Sequence, residues 1–258
     1  YPPASFTRAA RWVRNSLPAT STLCAAAARH ALDLERSRLT RYGVTKAMAI
    51  PTPARLAAAL GGRLPAAGSR VGLLGGSFHP PHRAHREISL QALSHLGLDE
   101  VWWLVSPQNP LKSTDGMAPL ATRLDRARAM VAHPRIRAAA LESLLGTQRT
   151  ADSLQAITSR FSRVKFVWLM GADNMIQIER WRAWQQIFHR VPVAIFDRPS
   201  YSLRAMAAKP AKCFGKNRLN EAYSRCLADC QPPVWVFVHG YRDPLSASSI
   251  RAGQSCAP

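Results

Sequence analysis

Residues 71–85 read VGLLGGSFHPPHRAH, and this stretch decides the fold of the chain. An apolar run typical of a buried strand ends in two glycines, and two prolines and two histidines follow. Because glycine has no Cβ, a backbone ending in Gly75 and Gly76 can come close to a ligand. His82 and His85 are three residues apart, so both rings can face one group if a helix begins there. The stretch predicts a phosphate site at a strand-to-helix turn.

Beyond residue 71, apolar runs alternate with amphipathic segments of roughly 10–15 residues. Runs such as VWWLV at 101–105 and FVWLM at 166–170 are typical of parallel strands that helices cover on both faces. The sequence therefore predicts an α/β fold with a doubly wound, Rossmann-like parallel sheet. Strands are expected at 71–75, 100–106, 136–141, 164–170, 191–197 and 233–239. Helices are expected at 84–96, 119–132 and 151–160, as turns over 173–189, and from about 247.

The formal net charge of +20 is unevenly distributed along the chain. Residues 1–70 hold eleven Lys and Arg against two acidic residues, Asp33 and Glu35. We predict that residues 1–70 are a partly disordered basic extension and linker, and that 71–254 form the folded domain. The charge would suit a nucleic-acid binder. No lysine-rich block accompanies it, however, so solvated arginines are favoured and a nucleic-acid role is not expected.

Cysteine content and apolar runs narrow the class of protein further. Five cysteines without a CxxC pair favour free thiols in a reducing compartment over a zinc site. No apolar run approaches the roughly 18 residues of a membrane span. The opening YPPASFTRAARWVRNSL lacks the apolar core of a secretory signal, but its arginines and serines also fit a mitochondrial transit peptide. Met48 is a candidate natural start.

Polar residues follow the predicted strands, where ligands of doubly wound sheets bind. Asn109 and Lys112 follow the second strand, in a proline-stiffened loop that could equally be an ordinary turn. Asp173 follows the fourth strand, where a carboxylate can hold ribose hydroxyls, although a helix N-cap would look the same. Ser248 and Arg251 open the last predicted helix, whose free N–H groups favour an anion. A simple N-cap is again the alternative.

These residues, in this order, resemble the nucleotidylyltransferase superfamily, and within it the bacterial nicotinate-nucleotide adenylyltransferases. Residues 76–85 resemble the pattern G-[ST]-F-x-P-x-H-x-G-H, and 245–251 resemble I-S-S-T-x-[IL]-R. Residues 171–181 are similar to a G-A-D…W segment, and 147–154 to T-x-Y-T-x-D-T-L. The chain departs from these patterns at Ala84, Arg149 and Ala247, and His79 stands where the family commonly has Asp or Asn.

The resemblance implies that the phosphate of nicotinate mononucleotide attacks the α-phosphorus of ATP, giving nicotinate adenine dinucleotide and pyrophosphate. Such enzymes position two anions in line and neutralise their charge. Mg²⁺ would accompany ATP, and no residue is assigned to hold a metal. The implied partners are ATP and nicotinate mononucleotide, with no membrane, in a bacterial cytoplasm. Mitochondrial targeting by the N-terminal extension stays an alternative, and the sequence predicts no oligomeric state.

Each implied role is carried over from the matching motif. The implied catalytic residues are His82, His85 and Arg251. The implied ATP-binding residues lie in the glycine turn, after the fourth strand and in the last helix: Gly76, Ser77, Phe78, His82, His85, Asp173, Ser248 and Arg251. The implied nicotinate mononucleotide-binding residues are Asn109, Lys112, Thr150 and Trp181. From the residues alone, Trp181 and Trp184, three apart, are more often core than ligand platform.

Two alternatives remain open from the sequence. One is a sister enzyme of the same superfamily that transfers an adenylyl or cytidylyl group to another acceptor, such as nicotinamide mononucleotide or pantetheine phosphate. The other is a catalytically degenerate relative that acts as a basic nucleic-acid-binding or assembly protein.

Overall fold

A seven-stranded sheet forms the centre of the protein. The computed structural model describes residues 51–107, 116–198 and 200–240. Every pair of neighbouring strands is parallel, and the strand order is β3-β2-β1-β4-β5-β7-β6. The strands are β1 (Arg70–Gly76), β2 (Glu100–Val105), β3 (Ile136–Ala139), β4 (Lys165–Gly171), β5 (Val193–Phe196), β6 (Arg218–Leu219) and β7 (Trp235–Val238).

Helices connect the strands. They are α1 (Pro53–Ala59), α2 (Arg83–His95), α3 (Leu120–Val131), α4 (Leu141–Leu145), α5 (Thr150–Arg160), α6 (Ala172–Gln177), α7 (Trp184–Arg190), α8 (Ser202–Ala207) and α9 (Lys209–Cys213). Three 3₁₀ segments occupy Ile178–Arg180, Gly215–Asn217 and Glu221–Asp229. None of these described helices has the length and apolar character of a membrane span.

The two faces of the sheet bury different side chains of the same strands. Trp102 packs in one apolar cluster and Trp103 in the other, because successive residues of a strand point to opposite faces. Leu73 and Leu74 divide between the clusters in the same way. Helices α5 and α7 cover the first face, and α2 and α3 cover the second. Burial on both faces explains why these strands read as continuous apolar runs.

The strand order reverses between β1 and β4. The chain builds outward from β1 through β2 to β3, and then returns to place β4 on the other side of β1. Because all strands are parallel, the loops that follow them leave from one edge of the sheet, which we call the carboxyl edge. A ligand crevice forms at such a reversal, outside the carboxyl ends of the strands. The residues that follow β1 and β4 therefore face the same crevice.

The predicted doubly wound α/β fold is confirmed. No strand or helix is predicted for residues 203–230, but this stretch forms most of α8, all of α9 and β6, and the 3₁₀ segments Gly215–Asn217 and Glu221–Asp229. Strand β6 was missed because it has only two residues, too few to show a hydrophobic period. The basic segment 1–50 and the helix expected from 247 lie outside the described residues. The domain boundary at 70/71 stays a prediction.

A buried ion-pair cluster lies at the opposite edge of the sheet, where β2 begins. Arg137 donates from Nη2 to Glu100 Oε1 at 2.7 Å and from Nη1 to the carbonyls of Leu60 and Arg63 at 2.8 and 2.9 Å. Trp102 Nε1 also donates to the Glu100 carboxylate, at 3.0 Å. These bonds hold the segment after α1 against the sheet, far along the strands from the carboxyl edge.

Candidate active site

The turn after β1 contains a strained residue. Phe78 has φ of +46°, a left-handed conformation that is uncommon for a residue with a Cβ. Its ring is buried and stacks on Trp103, with the ring centroids 4.9 Å apart and the planes 10° apart. The same ring lies 4.7 Å from the His85 ring. Packing on both sides holds the strained backbone in place, as is common where a site needs an unusual turn.

His82 and His85 come together at the start of α2. His82 is the N-cap residue and is only 4% exposed, and the two imidazole centroids lie 3.8 Å apart. The His82 main-chain N–H donates to Nδ1 of His85 at 3.3 Å. Since Nδ1 accepts this bond, the proton of a neutral His85 ring lies on Nε2, which becomes its donor. The helix start adds the partial positive charge of its N–H groups beside the rings.

A chain of hydrogen bonds supports His85 from inside the core. Trp103 Nε1 donates to Ser89 Oγ at 2.8 Å, and Ser89 Oγ donates to the His85 carbonyl at 2.8 Å. Both Trp103 and Ser89 are fully buried. Ala84, which stands where the family pattern has glycine, is also fully buried, in the apolar cluster of this face. The methyl group is therefore accommodated by the core.

Asp173 lies in the first turn of α6, directly after β4, and pairs with an arginine that follows β5. The Arg198 Nη1 to Asp173 Oδ2 distance is 3.1 Å, and both side chains are largely buried. A Cβ on Gly171 would lie 2.5 Å from Asp173 Oδ1, so any larger residue there would force the carboxylate to shift from this place. The strand end, the acid and the arginine form one polar group beside the β1 turn.

The start of α5, where Thr150 lies half-buried, is tied to the core by a buried carboxyl. Ser153 Oγ donates to Glu142 Oε1 at 2.9 Å, and the Thr147 and Ser153 hydroxyls are also 2.9 Å apart. Burial raises the pKa of the Glu142 carboxyl, while hydrogen bonds from Ser153 and Ser106 act in the opposite direction. Because Ser106 follows β2, Glu142 links the α5 start to that strand end.

The two tryptophans after β4 differ in their burial. Trp184 is 5% exposed and belongs to the core, as tryptophans at helical spacing usually do. Trp181 follows the 3₁₀ turn Ile178–Arg180, where its main-chain N–H donates to Ile178 O at 2.8 Å, and its ring is half-buried. Trp181 packs one side on the core and keeps part of the ring exposed, which suits stacking on a ligand.

The sequence prediction missed three polar residues near the crevice: Arg123, Glu142 and Arg198. Arg198 could have been found, because it follows a predicted strand as the other candidates do. Arg123 lies on the buried stripe of α3, between Leu120 and Ala127, where the helical pattern calls for an apolar side chain. A charged residue at such a position was the available signal.

Four predicted site residues, Asn109, Lys112, Ser248 and Arg251, lie outside the described residues, and their roles stay predictions. The remaining eight are described. Six of them, Gly76, Ser77, Phe78, His82, His85 and Asp173, lie at or just after the ends of β1 and β4. Thr150 and Trp181 belong to segments that follow β3 and β4. Among residues 51–107, 116–198 and 200–240, no group of three His, Cys, Asp or Glu side chains is arranged to hold a metal.

The Rossmann-like sheet, the glycine turn, the paired histidines and the acid at the strand reversal all lie within a match to an α/β nucleotidyltransferase family. The family model described as cytidylyltransferase-like matches residues 73–253. Sequence relatives narrow the class of protein further: the chain belongs to the family of nicotinate-nucleotide adenylyltransferases.

The relatives that carry this name cover most of the chain. A probable nicotinate-nucleotide adenylyltransferase of Bradyrhizobium sp. strain ORS 278 is 50% identical over 182 residues, which are 70% of this chain and 95% of the relative. Those of Rhizobium johnstonii and Brucella abortus strain 2308 are 43% and 42% identical. They cover 73% and 71% of this chain, and 94% and 95% of their own lengths.

Solved structures support the fold. The nicotinic acid mononucleotide adenylyltransferase of Plasmodium falciparum, in complex with NaAD, gives a TM-score of 0.55 at 15% identity. The same enzyme in complex with APC gives 0.53 at 14%. Each match covers 71% of this chain and 83% of the other.

The pH dependence of the free energy of unfolding tests the buried network around Glu142. Its folded-state pKa is raised from the ordinary value of 4.5, so its contribution to stability is present below that value and is lost as pH rises through the folded pKa. We expect the free energy of unfolding of Glu142→Gln, relative to wild type, to increase as pH rises above 4.5. A pKa difference of one corresponds to about 1.4 kcal/mol.

Urea unfolding of both proteins across this pH range measures the difference. Asp152→Asn is the control, because Asp152 is an exposed carboxylate in the first turn of α5. A pH-independent difference between wild type and Glu142→Gln would contradict the prediction.

Proposed function

We propose that this protein transfers AMP from ATP to nicotinate mononucleotide, giving nicotinate adenine dinucleotide and pyrophosphate. The observation that carries the proposal is the His82–His85 pair, packed at the start of α2 beside the point where the strand order reverses. The names of the relatives support the same reaction. Their 42–50% identity extends over more than nine-tenths of each relative considered above.

In this reaction an oxygen of the mononucleotide phosphate attacks the α-phosphorus of ATP. The new P–O bond forms as the bond from the α-phosphorus to the bridging oxygen of the β-phosphate breaks, and pyrophosphate leaves with that electron pair. No covalent enzyme intermediate is needed. The protein's contribution is to align the two anions and to offset the charge that builds on the phosphate oxygens.

His85 is the best-placed donor for the α-phosphate. Its Nδ1 accepts a hydrogen bond from the His82 main-chain N–H, so Nε2 carries the proton of a neutral ring and would donate it to a phosphate oxygen. Phe78 and Trp103 pack against the ring and restrict its rotation. His82 lies 3.8 Å from it, centroid to centroid, and would contact the same triphosphate. The N–H groups at Gly76–Phe78 and at the α2 start would complete this anion site.

Asp173 would accept hydrogen bonds from the ATP ribose. Arg198 holds this carboxylate at 3.1 Å, so the acid is oriented before ATP arrives. Ser248 and Arg251 would meet the β- and γ-phosphates. These two assignments rest on the family motif alone.

The mononucleotide would bind beside the ends of β2, β3 and β4. We assign the Trp181 ring to stack on the pyridine, and Thr150 to the nicotinate carboxylate. Asn109 and Lys112 would face the mononucleotide phosphate, again on the motif alone. Mg²⁺ would enter with ATP and supply further charge neutralisation on the phosphates. The bacterial origin of the relatives favours a location in a bacterial cytoplasm.

The direct test is pyrophosphate release from ATP and Mg²⁺ with each of three acceptors. We expect release with nicotinate mononucleotide, and much less with nicotinamide mononucleotide or phosphopantetheine. A coupled phosphate assay measures the rates. Preference for either of the other acceptors would indicate a sister enzyme, and no release with any of them would overturn the proposed function.

His85→Ala should lower kcat by about 100-fold or more, because one donor to the developing charge is lost. Its Tm and far-ultraviolet circular dichroism should stay close to those of wild type. His95→Ala is a matched control: His95 is exposed in the last turn of the same helix. Wild-type turnover in His85→Ala would remove His85 from the mechanism.

Trp181→Ala should raise KM for the mononucleotide about tenfold and change kcat little, because stacking on a ring contributes to binding rather than to the chemical step. Trp181→Phe keeps an aromatic face and should recover most of the affinity. Steady-state kinetics with varied mononucleotide measure both variants. If KM is unchanged in Trp181→Ala, the ring belongs to the core and not to the site.

A further inference from the structure

We propose that Arg123 is a positioning residue for the transfer reaction, holding the ends of β1 and β2 in the geometry that the phosphates require and placing a buried positive charge beneath them. The inference rests on the proposed function for the reaction that it serves. Neither the histidine motif nor any other motif of the sequence includes Arg123.

Arg123 lies on α3 and is 1% exposed. To the described residues its guanidinium donates four hydrogen bonds, and each of the four acceptors is a main-chain carbonyl. Nη1 donates to Ser77 O at 2.6 Å and to Ser106 O at 2.7 Å, Nη2 to Pro107 O at 2.9 Å, and Nε to Ala118 O at 2.9 Å. Three of these carbonyls belong to the turns that leave β1 and β2 at the carboxyl edge. One side chain therefore joins both turns.

The bond to Ser77 fixes the direction of a neighbouring amide. The carbonyl of Ser77 and the N–H of Phe78 belong to one planar trans peptide unit, so they point in opposite directions. Because Arg123 holds the carbonyl inward, the Phe78 N–H points away from α3. This amide belongs to the turn that would seat the ATP phosphates. Arg123 also holds the peptide on which the left-handed Phe78 depends.

The bonds to Ser106 and Pro107 act on the second turn. Ser106 is held from two sides, since its carbonyl accepts from Arg123 and its side chain bonds to Glu142. Residues 108–115, which include Asn109 and Lys112, follow Pro107 directly in the sequence. Arg123 therefore fixes the base of the loop assigned to the mononucleotide as well as the turn assigned to ATP. A single guanidinium therefore restrains both the turn after β1 and the turn after β2.

The charge of Arg123 also matters. All four described partners are neutral carbonyls, so no carboxylate in the described part of the chain offsets the guanidinium. Water does not screen a fully buried charge as it screens a surface one. A positive charge directly beneath the strand ends favours the triphosphate and the charge that develops during transfer. Burial lowers the pKa of Arg123, but a guanidinium stays protonated in proteins.

Arg137, which lies on β3, offers a matched control near the opposite end of β2. It too is a largely buried arginine whose Nη1 donates to two main-chain carbonyls, those of Leu60 and Arg63. It lies near the start of β2, beside Glu100, and not at the carboxyl edge. Removing either guanidinium leaves carbonyls unsatisfied and lowers stability. Only the loss of Arg123 should also disturb the reaction.

The experiment compares four variants of the full chain: Arg123→Lys, Arg123→Met, Arg137→Lys and Arg137→Met. Lysine keeps the charge but cannot span carbonyls of two turns as a planar guanidinium does. We expect Arg123→Lys to lower kcat about tenfold with KM for ATP nearly unchanged, and Arg123→Met to lower kcat about 100-fold and raise KM for ATP. Both Arg137 variants should keep kcat near wild type at temperatures well below their Tm.

Wild-type kcat in Arg123→Lys, or equal kcat losses in the Arg123 and Arg137 pairs, overturns the inference. If Arg123→Met does not fold, the comparison of kcat between Arg123→Lys and Arg137→Lys decides the inference. Failure of the proposed function is seen separately, as absent pyrophosphate release by the wild type. The inference is then decided by calorimetric ATP binding, which Arg123→Met should weaken and Arg137→Met should not.

Discussion

The main-chain hydrogen bonds of β1 to two different neighbours are the constraint on which the rest of the structure depends. β1 pairs in parallel with β2 from Val71 to Gly76 and with β4 from Arg70 to Leu74. Because the strands on its two sides come from different parts of the chain, two connections must leave the same edge and diverge. The divergence opens the crevice, and the first residues after β1 and β4 line it. The histidine pair and Asp173 therefore follow adjacent strand ends, although about ninety positions separate them in the sequence.

The sheet was predictable because its apolar signal is strong and local. VWWLV places a tryptophan on each face of β2, and no surface strand would carry both Trp102 and Trp103. The residues after each strand could then be expected at one edge, which is where His85 and Asp173 lie. The rest depends on contacts between distant segments. The bond from Arg123 to Ser77 joins residues 46 apart, and the sequence pattern of α3 shows only a charge in an apolar stripe. Periodicity cannot reveal what such a charge binds.

Buried polar groups form two networks, one at the carboxyl edge of the sheet beside the candidate site and one at the opposite edge. At the carboxyl edge, Arg123, Glu142 and the Asp173–Arg198 pair connect strand ends to the segments around the crevice. At the opposite edge, the Glu100–Arg137 pair connects the sheet to the segment after α1. Buried polar groups are costly unless their hydrogen bonds are made, so each network restrains the segments that it joins. The first network restrains the candidate site, and the second restrains the segment after α1.

The left-handed conformation of Phe78 has a consequence for how this position can vary. Glycine would adopt φ of +46° without strain, but it would leave the face of Trp103 bare and remove the ring that packs beside His85. A branched aliphatic side chain would keep the strain and fill the space less well. The residue that best suits the backbone at position 78 is therefore not the residue that best suits the imidazole. The backbone at position 78 is strained, and the aromatic side chain there gives the His85 ring a fixed surface to pack against.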